Sequence, residues 1–246
     1  MGKIIAIIPA RFASSRFPGK PLALICGKPM IQWVYEGVKK VEKLDEIYVA
    51  TDNLEIFNCV KGFNGNAIMT SETHSCGSER LAECAEKLKL SAADIIVNIQ
   101  GDEPMIKVEM IEQLISAFND NEVYMATLKK EIFRQEDINN PNIAKLVTDV
   151  NDYAIMFSRS TIPYNRDGRK DIKYYKHIGV YGYKKAFLMM YSKLPKSMLE
   201  VSEELEQLRV IENGYKIKVI ETQFQSIGVD LPEHIKTVEI ELMKNR

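Results

Sequence analysis

Residues 4–8 form an unbroken apolar run of four isoleucines and one alanine, directly followed by a loop with three fixed cations, Arg11, Arg16 and Lys20. A short β-branched run with no polar position reads as a strand buried on both faces. A chain that starts this way needs a layer on each side of its sheet, which restricts it to folds with helices on both faces. The following segments supply those layers. Met30, Val34, Val38 and Val41 recur at helical spacing, and residues 46–50 read as the next strand. A helix is expected over 54–60 and a short strand over 67–69. A second helix with Leu81, Cys84, Ala85 and Leu88 inward is expected over 78–90. Residues 94–99 read as a central strand and 108–118 as the helix behind it. Alternating strands and helices imply a parallel sheet covered on both sides.

The second half is less regular. Strands are expected over 144–150, 153–158, 178–183 and 217–220. A single helix is expected over 199–212 with Leu205, Leu208 and Ile211 inward, stopped by Asn213-Gly214. A last helix is expected over 232–243, with Pro232 near its first turn. The fold class is therefore α/β, Rossmann-like, a mostly parallel sheet flanked by helices with a mixed or antiparallel extension. With 246 residues and no linker, repeat or low-complexity stretch, residues 1–246 read as one domain. Phe187, Leu188, Met189, Met190 and Tyr191 form an apolar cluster that reads either as a buried helix or as a dimer face.

Charge and cysteine content exclude several function classes. Thirty-three basic residues against thirty-four acidic ones leave a net charge of -1, so no nucleic-acid partner is expected and any phosphate site must be a local cluster. Cys26, Cys59, Cys76 and Cys84 contain no C-x-x-C pair, and three histidines leave little from which to build a zinc site. With no export signal and no apolar stretch near the ~20 residues of a membrane span, a cytoplasmic protein is expected.

In sheets of this kind ligands bind beyond the carboxyl ends of the strands. The loop over 9–21, PARFASSRFPGKP, leaves the first strand at such an end. Its small residues let backbone N–H groups approach phosphate oxygens while Arg11, Arg16 and Lys20 neutralise them. It lacks the Walker A spacing, and by itself it reads equally well as a basic surface loop with a turn at Pro18-Gly19. After the central strand, Gln100-Gly101-Asp102-Glu103-Pro104 delivers a carboxylate where a phosphate-bound Mg²⁺ would sit, or simply an aspartate that shapes a turn. His74-Ser75-Cys76-Gly77-Ser78-Glu79-Arg80 opens a helix and suits either a base contact or a cap.

In these three loops the chain resembles the 3-deoxy-manno-octulosonate (Kdo) cytidylyltransferases. The matching elements are P-A-R-x-x-S-S-R-x-P-G-K-P-L, V-N-x-Q-G-D-E-P and H-x-x-G-x-E-R. The resemblance continues through Asn140-Pro141-Asn142, residues 157–163, residues 177–183, Leu205-Glu206-Gln207-Leu208-Arg209 and Gly228-Val229-Asp230. It implies a nucleotidyltransferase fold and an enzyme that joins CMP from CTP to Kdo with release of pyrophosphate. The product would serve lipopolysaccharide or capsule synthesis.

The resemblance also implies roles for individual residues. Arg11, Lys20, Asp102 and Asp230 would be the catalytic set, with Asp102 and Asp230 holding Mg²⁺. Arg11, Ser15, Arg16, Lys20, Ser71, Cys76, Gly77 and Arg80 would bind the nucleotide. Gln100, Arg166, His177, Tyr181, Glu206 and Gln207 would bind the sugar acid, with Arg166 as the cation for its carboxylate. A homodimer is implied as well. The chain departs from the family pattern H-x-S-G-T-E-R by carrying Cys76 for Ser and Ser78 for Thr, and a thiol is the weaker hydrogen-bond donor. CMP transfer to a related acid, or nucleotide binding without turnover, are the competing readings.

Overall fold

The computed structural model describes residues 2–13, 16–74 and 76–244. The elements run β1 (Ile4–Ala10), β2 (Leu24–Ile25), β3 (Lys28–Pro29), α1 (Met30–Val38), β4 (Glu46–Thr51), α2 (Leu54–Gly62), β5 (Ala67–Met69), α3 (Gly77–Lys87), β6 (Ile95–Asn98) and α4 (Val108–Ser116). They continue with β7 (Met125–Ile132), α5 (Gln135–Asn139), β8 (Lys145–Thr148), β9 (Ala154–Ser158), β10 (Tyr174–Lys184), α6 (Lys185–Tyr191), α7 (Met198–Glu203), α8 (Leu208–Glu212), β11 (Lys218–Glu221) and α9 (His234–Lys244).

The main sheet has the order β11-β7-β10-β6-β1-β4-β5. Strands β6, β1, β4 and β5 are mutually parallel, as the alternating first half requires. Strand β10 runs antiparallel between β6 and β7, and β8 and β9 extend the sheet from it. Strand β1 shows why its sequence has no polar position. Ile4, Ala6 and Ile8 enter one core with α1, α2 and α4, while Ile5 and Ile7 enter the other with α3, α6 and α8. A two-sided strand of this kind loses apolar burial whichever face is changed. A third, smaller core joins the β2–β3 hairpin to α9 through Ile25, Met30, Val229 and Val238.

Two expectations need correction. The helix expected over 199–212 is broken into α7 and α8, with Glu204 in the left-handed region at φ 51°. In a straight helix Glu200 and Arg209, nine residues apart, would face about 180° away from each other. The break lets them meet in a buried bidentate pair, Arg209 Nε to Glu200 Oε2 at 2.7 Å and Nη2 to Oε1 at 2.6 Å. Strand β7 matches none of the expected strands, although it lies inside the sheet next to β11 and is mostly buried. The apolar cluster at 187–191 proves to be α6, with Phe187, Leu188 and Tyr191 in the core rather than on an open face. All four cysteines are free, and among the described residues no helix is long and apolar enough to cross a membrane.

Candidate active site

The carboxyl ends of β1 and β6 and the turn before α8 enclose a cavity of about 550 Å³. Its lining includes Arg11, Arg16, Lys20, Gly77, Ser78, Arg80, Gln100, Asp102, Tyr181, Glu206 and Gln207, so most of the residues singled out in the sequence converge on one cleft. The lining also holds Asn98, Tyr183 and Tyr191, which the sequence reading left among ordinary strand and core positions.

The phosphate-type side is built by two loops in contact. The loop after β1 closes where Gly19 N–H donates to Phe12 O at 2.9 Å. Gly19 has φ 67°, a conformation in which a side chain would be strained. At the end of β6, a Cβ on Gly101 would come within 3.0 Å of the Pro9 carbonyl. Glycine therefore allows the Asp102 loop to lie directly against the cationic one. Lys20 Nζ donates to Asp102 Oδ2 at 2.5 Å, and Arg16 Nη2 to Asp230 Oδ1 at 2.9 Å. Val229 N–H donates to Asp102 O at 2.9 Å, which draws the segment carrying Asp230 to the same place. Burial pushes the Glu103 carboxyl up to about 7, and the charges of Asp102 and Asp230 add to that rise. Ser15 lies outside the described residues.

The α3 end is held by buried charge. Arg80 is fully buried and donates to Thr70 Oγ1 at 2.5 Å and Asp52 Oδ2 at 2.6 Å, tying the ends of β4 and β5 to the start of α3. Its Nε faces no protein acceptor. Ser71 lies outside the cavity lining; its N–H donates to Glu83 Oε2 at 2.8 Å, and His74 Nε2 meets the same carboxylate at 2.5 Å. Burial alone would raise Glu83, but Lys87, the Ser71 N–H and His74 together hold it down at about 2. Cys76 precedes α3 with its Sγ 3.2 Å from Ser78 Oγ, and it borders a smaller adjoining cavity instead of the main one.

The opposite wall is aromatic and amide-rich. Tyr181, Tyr183 and Tyr191 stack in sequence with ring centroids 5.9 and 6.2 Å apart. Burial, reinforced by the nearby Glu206 carboxylate, pushes the Tyr181 and Tyr191 hydroxyls far above their ordinary range, so they stay protonated. Tyr191 Oη donates to Glu206 Oε1 at 3.0 Å, and the Ser78 hydroxyl donates to the same oxygen. Glu206 and Gln207 occupy the turn between α7 and α8, so the break in the expected helix is what aims them inward. His177 is half-buried behind this wall, 3.1 Å from Thr127 Oγ1, and does not line the cavity. Arg166 does not join the site. Its side chain is 89% exposed, and the nearest acid is Asp167 at 4.0 Å, so this geometry gives the expected carboxylate contact no support.

A parallel sheet with a cationic loop and an acidic loop abutting at its carboxyl edge defines a nucleotide-handling α/β enzyme. A family model described as cytidylyltransferase matches residues 5–217. The 3-deoxy-manno-octulosonate cytidylyltransferase of Fusobacterium nucleatum is 53% identical over 96% of this chain and 95% of its own length. That of Thermodesulfovibrio yellowstonii is 48% identical over 96% of each. A solved structure of CMP:2-keto-3-deoxy-manno-octonic acid synthetase complexed with CTP superposes with a TM-score of 0.94 at 40% identity, covering 99% of this chain and 100% of that one. A 4-diphosphocytidyl-2C-methyl-D-erythritol synthase from Anaerococcus prevotii, 17% identical over 98% of this chain and 96% of its own with a TM-score of 0.61, shares the fold alone. The chain belongs to the cytidylyltransferase family, among the 3-deoxy-manno-octulosonate cytidylyltransferases.

Proposed function

We propose that this enzyme transfers CMP from CTP to the anomeric hydroxyl of Kdo, releasing pyrophosphate and activating the sugar for lipopolysaccharide or capsule synthesis. The observation that carries the reading is the abutment of the two loops, which sets Lys20 against Asp102 and Arg16 against Asp230 at one end of a cavity walled by hydroxyls and amides at the other. The cationic end suits a triphosphate, and the hydroxyl- and amide-rich end suits a polyhydroxylated acid. The α-phosphorus would lie between them, open to in-line attack.

Mg²⁺ is part of the proposal. Asp102 and Asp230 offer hard oxygen donors and are drawn together by the Val229 N–H contact to Asp102. Among the described residues no group of three or more potential ligands could hold an ion by itself. Mg²⁺ is bound by one or two carboxylates and completes its shell with phosphate oxygens and water, so Asp102 and Asp230 would suffice to hold it. When bound, the ion would acidify the attacking hydroxyl and stabilise the leaving oxygen. Lys20 and Arg16 would bind and orient the phosphates, and Glu206 with Ser78 and Tyr191 would orient the acceptor. A homodimer is also proposed; exposed Ile155, Phe133 and Tyr164 around the β8–β9 extension support it, and light scattering reads it directly.

The test is pyrophosphate release from CTP and Mg²⁺ with a panel of acids: Kdo, its 8-amino derivative, a sialic acid and a phosphonate. Kdo is expected to turn over fastest. An enzyme inert with Kdo and active with another acid would overturn the substrate assignment.

A further inference from the structure

Asn98 closes β6, the central strand, and lines the cavity although it is only 4% exposed. Its side chain hydrogen-bonds Tyr183, and its Oδ1 is buried with no partner in the protein. Gln207, also 4% exposed, lines the same cavity with its Nε2 buried and unpartnered. Away from the Arg80 Nε at the α3 end, the residues lining this cavity thus carry one orphan acceptor, on Asn98, and one orphan donor, on Gln207. Buried polar groups are rarely left unpaired, and each exception asks for a ligand or an ordered water.

The chemistry of the pair selects what can satisfy it. An acceptor such as Oδ1 repels phosphate and carboxylate oxygens, which are acceptors too, and needs an O–H or N–H. A sugar hydroxyl both donates and accepts, so it can meet Asn98 Oδ1 with its proton and Gln207 Nε2 with a lone pair. Position favours the sugar acid over the nucleotide. Asn98 lies in register with Tyr181 on the neighbouring strand, bonds Tyr183, and so belongs to the aromatic wall that leads to Tyr191 and Glu206. The triphosphate-type cations stand in the other loop.

We infer that Asn98 is a specificity-determining residue for the acceptor, its Oδ1 taking the proton of one sugar hydroxyl while Gln207 donates to that hydroxyl or its neighbour. The inference rests on reading the cleft as a cytidylyl-transfer site for Kdo. Removal of the acceptor should therefore act on one substrate only.

The experiment measures steady-state kinetics of wild type, Asn98→Ala and Tyr183→Phe with CTP, with Kdo, and with deoxy analogues each lacking one hydroxyl. Asn98→Ala is expected to lower kcat/KM for Kdo about 10–100-fold, the scale of one lost buried hydrogen bond, and to leave KM for CTP within about twofold. Wild type should discriminate against one particular deoxy analogue, and the variant should have lost that discrimination. A merely structural role would not erase sensitivity to a single hydroxyl. If Asn98→Ala does not fold, Tyr183→Phe, which keeps the stacked ring but frees the amide, should raise KM for Kdo several-fold alone. Unchanged Kdo kinetics, or a rise confined to KM for CTP, would overturn the inference while the proposed function stood. Wild type inert with Kdo would overturn both, and that outcome is read on the unmutated enzyme.

Discussion

The two walls of the cleft solve opposite problems. On the phosphate-type wall two of the cations are already paired within the protein, Lys20 with Asp102 and Arg16 with Asp230, and the second pair is more than half exposed. An exposed pair such as Arg16–Asp230 is held weakly, so its partners can be exchanged for a triphosphate at little cost. On the aromatic wall, apart from the Glu206 carboxylate, the groups are neutral and mostly buried, and the two amides Asn98 and Gln207 each have one buried atom without a partner. There recognition depends on a ligand hydroxyl filling a fixed gap. One wall is built to be rearranged by charge, and the other to be completed by shape and hydrogen bonding.

The comparison can be broken most forcefully at Asp102. Asp102→Asn removes the charge but keeps the side-chain shape, and the partly exposed position tolerates the change. The protein should stay folded, with an unchanged melting temperature within a few degrees. Turnover should fall at least about 10²–10³-fold, the scale of losing one electrostatic element of a transition state. Activity near wild type would remove Asp102 from the reacting centre. It would also leave the Lys20 pair as a purely structural contact.

Glu206 is where the two walls meet, since one of its oxygens accepts from Ser78 beside α3 and from Tyr191 on the aromatic side. Glu206→Gln should therefore raise KM for both CTP and the acid, each about tenfold, because a charged acceptor is replaced by a neutral one. This contrasts with the single-substrate effect expected at Asn98. A Glu206→Gln defect limited to one substrate would place the carboxylate on that wall alone.

Much of this design could be read locally, and the rest could not. The two-sided burial of β1 follows from its own five residues, and the abutting loops follow from strand ends, glycines and charge. The features that escaped depend on partners distant in sequence. The expected helix over 199–212 looked continuous because its apolar spacing is helical, yet the buried Arg209–Glu200 pair can form only if it breaks. Strand β7 carries Lys129, which in sequence argues against a buried strand inside the sheet. In the fold it is 6% exposed, with its ammonium held by Thr148 and Asp152 and set over the Tyr175 ring. Arg80 suggested a ligand contact, and its pairing with Asp52 and Thr70 appears only once β4, β5 and α3 are assembled. Asn98 read as a strand residue because nothing in VNIQ marks which side chain will lack a partner.

The smallest effect tests how neutral the aromatic wall must stay. His177 packs edge-on against Phe157 at 5.1 Å and lies 5.4 Å from Tyr181, and burial lowers its pKa to about 4. An unfolded histidine titrates near 6.5, so protons bind the unfolded chain more tightly. The stability tied to neutral His177 is fully present above about pH 6.5 and is lost as pH falls through 4. Urea denaturation at intervals from pH 7 to pH 4 should show wild type losing stability across that window. His177→Gln, which cannot charge, should lose about 1–2 kcal/mol less over the same range, after allowance for the part of the ring that remains accessible. Identical pH slopes for the two proteins would mean that the ring accepts a proton as readily in the fold as outside it. The wall could then carry charge without penalty, and its contrast with the phosphate side would narrow to geometry.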